Sequence, residues 1–169
     1  MAETDIKKYS VVEKLNKMDV DVITLTVAST TNACSDAEVI FSADEIENAV
    51  AVNGGTCILQ SVGLLDDDDN GGAIDLVFMD TTGLLDASED GTVIDAADGV
   101  IPDAILGVVT ISSYFDGVLW QYGHKENIGL ALKAASGSRS IYVSGVNRSG
   151  GALTWTASGI RLKLGFVKD

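Results

Sequence analysis

The last stretch of the chain constrains its fold most. In Gly159 to Val167, Ile160, Leu162, Leu164 and Phe166 alternate with Arg161, Lys163 and Gly165. A period of two sends alternate side chains to opposite faces of a pleated strand, so one face is core and the other is wet and basic. The same period runs through Val20 to Val27, where Ile23, Leu25 and Val27 alternate with Thr24 and Thr26. Short apolar runs separated by turn residues fill most of the rest. They are Glu38–Ser42, Ala49–Val52, Thr56–Leu65, Ala73–Asp80, Ala104–Ser112, Ile128–Ala134, Ser140–Val146 and Ala152–Thr156. Among these, Ala104–Ser112 reads as a strong buried strand, and the segments after residue 127 as successive antiparallel strands. Asn70-Gly71 between two apolar runs predicts a hairpin. Only Asp44–Asn48 suggests a helical turn. No βαβ alternation is present, so a parallel α/β sheet is excluded. The expectation is an all-β antiparallel β-sandwich of jelly-roll type.

Residues 1–19 differ. They mix charges with apolar residues, and Val11, Leu15 and Met18 follow helical spacing. They are read as an N-terminal arm, helical or extended, ahead of a sandwich domain over 20–169. Residues 81–103 are acidic and turn-rich. They read as a surface excursion with one weak strand at Thr92–Ile94. A chain of 169 residues suits one domain with its own core. No signal-peptide apolar region and no membrane-length apolar run occurs, which suggests a cytoplasm-like compartment.

The net charge is −14, and it is segregated. No Lys or Arg lies between Asp19 and His124, while all 11 fall at the two ends. A nucleic-acid binder needs a dense basic face, and this field repels phosphate, so nucleic acid is not an expected partner. Acidic loops keep a protein soluble. Alternatively, the basic ends meet an acidic partner surface.

Motifs for chemistry are sparse. Asp66-Asp67-Asp68-Asp69-Asn70-Gly71 matches the opening of a calcium loop, whose clustered oxygens suit a hard cation. The twelfth position is Val77 rather than Glu, and the flanks read as strands, which excludes an EF-hand. Asp66, Asp68 and Asn70, with Asp75 or Asp80, are weak candidates for another cation site, against a plain solvated loop. Cys34 and Cys57 lack C-x-x-C spacing and read as reduced thiols. His124, beside Glu126, reads as a loop histidine. There is no nucleophile elbow and no P-loop. No cofactor and no enzymatic activity are expected. Trp120 and Tyr122, two apart on one strand, point to the same side. With Trp155 they form either a sugar-stacking platform or core packing.

A family resemblance enters on several elements. The run Ile46 to Gly55, then Ile58–Ser61, Ile74–Phe78, Ile105–Val109, Asn127–Leu130 and Ser140–Val143 resemble virion structural proteins of tailed bacteriophages. So does the closing Trp155-Thr156-Ala157-Ser158-Gly159-Ile160-Arg161-Leu162-Lys163-Leu164-Gly165-Phe166. The likeness spans roughly residues 44–169 and rests on structural glycines and core positions. It implies a head decoration, or cement, protein. Such a protein sits on the capsid exterior, binds the major capsid protein, clamps neighbouring coat subunits and self-associates, often as a homotrimer. The alternative is a tail, fibre or adsorption module that binds host glycans. Under the first reading the arm supplies partner contacts through Lys7, Lys8, Tyr9, Val11, Val12, Leu15 and Lys17. Deleting residues 2–18 is then expected to leave a folded domain that no longer stabilises shells. Wild-type capsid occupancy by that truncation would refute it.

Overall fold

Nine strands form among the described residues. In the computed structural model, which describes residues 19–82, 91 and 102–168, they are β1 (Asp19–Thr26), β2 (Val39–Ile46), β3 (Thr56–Asp66), β4 (Ile74–Met79), β5 (Ile105–Ile111), β6 (Tyr114–Asp116), β7 (Gln121–Lys133), β8 (Ile141–Asn147) and β9 (Ile160–Lys168). A single 3-10 turn at Pro102–Ala104 is the one helical element among the described residues. One sheet has the order β1-β9-β3-β7-β6 and the other β2-β8-β4-β5, with every pairing antiparallel.

The pairings nest: β1 with β9, β2 with β8, β3 with β7, β4 with β5. The chain is thus a long antiparallel ribbon folded over itself into two facing sheets, which is the jelly-roll arrangement. The core lies between them. Ile160, Leu162, Leu164 and Phe166 of β9 are fully buried against Phe41, Leu59, Leu64, Leu76, Phe78 and Trp155. The intervening Arg161 and Lys163 are exposed. Alternation in the sequence therefore maps directly onto the two faces of the five-stranded sheet.

Several local expectations fail. Ile74–Met79 does not form a hairpin with Thr56–Asp66, because β3 and β4 lie in different sheets. The Asn70-Gly71 segment is instead an inter-sheet connection, held by the buried carboxylate of Asp66. The segments after residue 127 do not form one meander; β7, β8 and β9 alternate between sheets. Asp44–Ile46 belong to β2 rather than to a helical turn. The β2 ladder shifts register between Phe41 and Asp44, Ile46 is buried in the core, and the Asp44 carboxylate accepts the Ala28 N–H (3.2 Å). Burial also pushes the Asp44 carboxyl up. Ala49–Val52 bends instead of pairing, although Ala49 and Val50 are buried. The anticipated strand at Ala152–Thr156 shrinks to one bridge, Cys34 with Leu153. Finally, among the described residues β5 is an edge strand paired only with β4, and its Val108 is 51% exposed where a buried strand was expected. The arm, the strand expected at Thr92–Ile94 and most of the acidic excursion lie outside the described residues.

The segregated charges find each other through this topology. Arg148 pairs with Asp75 (2.9 Å), Arg161 with Asp67 (2.8 Å) and Lys168 with Asp21 (2.7 Å). Part of the basic C-terminal third thus meets acidic residues of its own chain. Lys168 is the buried case: its Nζ also donates to the Asn48 carbonyl (2.7 Å). Lys168→Met removes both bonds and is expected to cost about 2 kcal/mol in urea unfolding. The bond and charge of Lys168 hold the Asp21 carboxyl below its usual range. That stabilisation is present above the unfolded carboxyl value of about 4 and is lost as pH falls through the lower folded value. The variant's deficit should therefore shrink below about pH 4.

Candidate functional site

Paired residues of adjacent strands point to the same face of a sheet. On the outer face of the five-stranded sheet, one row runs Thr24, Lys163, Gly63, His124, and the next runs Thr26, Arg161, Leu65, Tyr122. Together with Trp120 these rows enclose a groove of about 270 Å³ lined by Thr24, Leu65, Trp120, Tyr122, Arg161 and Lys163. Its aromatic side is fixed by close packing. Tyr122 lies across Gly63, where a β-carbon would stand only 2.2 Å from the phenol oxygen. The Tyr122 and His124 rings are nearly parallel, with centroids 6.1 Å apart. His124 therefore stands on a strand rather than in a loop, 3.7 Å from the Glu126 carboxylate. Arg161 is held by Asp67 at the groove's rim. Lys163 has no ion-pair partner among the described residues.

The groove runs into the β6–β7 hairpin, which the sequence reading did not single out. Asp116-Gly117 between aromatic residues was the available signal. Here Phe115 (68% exposed), Val118 (80%) and Leu119 (78%) project into solvent with the partly exposed Trp120. The Trp120 indole packs against Gly117 and sits 5.9 Å from the Phe115 ring. The turn closes through Gly117 N–H to the Trp120 carbonyl and Val118 N–H to the Asp116 carboxylate, both 2.8 Å. Val118 adopts φ +77°. For a β-branched residue this is a strained conformation, of the kind that persists at functional sites.

The chain matches no family model and no curated protein.

The candidate cation ligands occupy the β3–β4 connection, where they serve the fold. Asp66 is 1% exposed, and its carboxylate accepts N–H groups from Asp68 (3.1 Å), Asn70 (3.0 Å) and Gly71 (3.0 Å). Burial raises its pKa, against the pull of those three bonds. Asp68 accepts the Thr156 N–H and hydroxyl, and Asn70 donates to the Thr154 carbonyl. Asp67 is paired with Arg161, and Asp69 accepts from Gln121. Among the described residues, no three His, Cys, Asp or Glu side chains are gathered as a metal site. Each acidic side chain of the run has a protein partner instead.

The other singled-out residues separate. Trp155 is 1% exposed in the core and cannot share a platform with Trp120 and Tyr122. Cys34 and Cys57 are both buried, and burial pushes the Cys57 thiol up to about 11. The arm residues Lys7, Lys8, Tyr9, Val11, Val12, Leu15 and Lys17 lie outside the described residues.

Proposed function

We propose that this chain is a non-enzymatic decoration protein of a tailed-bacteriophage head. It docks on the capsid exterior, on the major capsid protein and on further copies of itself, and stabilises contacts between coat subunits. The observation that carries the reading is the β6–β7 hairpin, an exposed apolar tip held on a rigid jelly roll by a strained turn. Apolar and aromatic side chains in fixed positions are what a docking site needs, because little side-chain freedom is lost on binding. The exposed Val20 and Val22 on the edge strand β1 add apolar surface next to the proposed arm. A specific contact buries roughly 1,200–2,000 Å², more than one hairpin offers. The arm residues Lys7, Lys8, Tyr9, Val11, Val12, Leu15 and Lys17 would supply the remainder, and repetition over a lattice would raise occupancy through avidity.

Electron microscopy of the purified virion tests this. The chain is expected on the outer surface of the head, with Phe115, Val118 and Leu119 against a neighbouring subunit. Density for it only in the tail, or none in the particle, rejects the proposal. A second reading, a tail, fibre or adsorption module that binds host glycans, is favoured by the aromatic and basic groove.

A further inference from the structure

We propose that the groove on the outer face of the five-stranded sheet binds an acidic sugar, a pyranose ring that carries a carboxylate. The inference rests on this sheet face alone. It stands whether the protein sits on a head or a tail.

Three features of the groove select this class. First, its aromatic side is both accessible and fixed. Trp120 is 39% exposed, with its indole lodged against Gly117 and near Phe115, while Tyr122 is laid over Gly63. A sugar presents a face of C–H groups that packs on such rings, and rings already held in place lose little freedom when it does. Second, Lys163 stands one row from Tyr122 on the same face, without an ion-pair partner among the described residues. Its ammonium offers three donors to a carboxylate. Arg161 uses its Nη2 on Asp67, which leaves its other guanidinium donors for ligand hydroxyls or a carboxylate oxygen. The Thr24 hydroxyl, on the opposite rim, can donate or accept. Third, the size and charge budget is narrow. About 270 Å³ is at the small end for a ligand site and suits one ring of an oligosaccharide. The net charge of −14 disfavours a densely charged polyphosphate. Screening over roughly 8 Å at physiological salt still lets one local lysine capture an isolated carboxylate.

Tryptophan fluorescence of the full-length protein tests the site, because Trp155 is buried and Trp120 is the tryptophan that a ligand in the groove can reach. Three probes separate the contributions: tetragalacturonate, neutral cellotetraose and the ringless anion tetraglutamate. Tetragalacturonate is expected to change the emission saturably, and cellotetraose to bind about tenfold more weakly or worse. Tetraglutamate is expected to show no saturable binding. Lys163→Ala should weaken tetragalacturonate about tenfold, and Lys163→Glu should abolish binding. Trp120→Ala should abolish binding read by calorimetry. The buried Trp155 emission reports that each variant is folded. No saturable response to tetragalacturonate overturns the proposal. So does equal affinity for tetraglutamate, which would mean a simple cationic patch, or unchanged affinity in folded Lys163→Glu. Because these measurements use the isolated protein, their failure leaves the virion location to be decided separately by microscopy.

Discussion

Val118→Gly should make the protein more stable by about 1 kcal/mol and yet weaken its docking tenfold or more. The first half follows from the backbone. Val118 holds φ +77° at 80% exposure, so its side chain gains little from burial while its β-branch opposes the conformation. Glycine adopts this conformation freely, although its greater freedom in the unfolded chain takes back part of the gain. The second half follows from the proposed role. Removing an apolar side chain from the tip of an interface removes contact area at its centre, where such losses are largest. Chemical denaturation gives the stability, and quantified occupancy on capsids gives the docking. A double change, Val118→Ser with Leu119→Ser, should lose docking further with the fold intact. If occupancy is unchanged in both variants, the hairpin is not the docking element. If Val118→Gly is less stable than the parent, the strain argument fails.

Asp66→Ala should cost about 3–5 kcal/mol of unfolding free energy, enough to threaten a domain whose whole stability is about 5–15 kcal/mol. Three backbone N–H groups lose their acceptor at once, in a connection where Asp66 is 1% exposed. Each such orphaned donor costs about 1–3 kcal/mol. The net loss is less than the sum, because burying the carboxylate is itself unfavourable and raises its pKa. The sign of the pH dependence follows. A raised folded pKa gives stability that is full below the unfolded value of about 4 and is lost as pH rises through the folded value. The deficit of Asp66→Ala should therefore be largest in acid and smaller at neutral pH. Urea unfolding at two pH values checks both size and sign. A deficit under about 1 kcal/mol at either pH would mean that the connection holds without its carboxylate.

The same carboxylate explains why the sequence misled at this point. Asn-Gly between two apolar runs ordinarily closes a hairpin. Asp66 gathers the N–H groups that a tight turn would otherwise satisfy locally, and this lets the chain cross to the opposite sheet. Nothing in the residue pattern announces that. Strands with one wet face were legible, as β9 and β1 show, because alternation survives whatever the neighbours are. β5 was not, since an apolar run reads alike at an edge and in the middle of a sheet. Asp44–Ile46 looked helical from composition, but burial of Ile46 and the register shift decided for a strand. For the candidate site, the spacing of Trp120 and Tyr122 correctly placed them together. Their basic partners Arg161 and Lys163 come from a strand some forty residues on, and only the β3–β9 and β3–β7 pairings join the two sets. Trp155 was left open between the platform and the core, because Thr-Trp-Thr gives no hint of which flank is solvent, and the structure places it in the core.

Pairing of the first described strand with the last has a practical corollary. Asp19 lies directly opposite Lys168, so the two ends of the sandwich stand about one interstrand spacing, ~4.8 Å, apart. A cargo genetically fused behind β9 would emerge at the same corner where β1 begins. A circularly permuted chain, rejoined at that corner and opened at an exposed turn such as Ser149–Gly151, would move the cargo to another corner and leave both sheets intact.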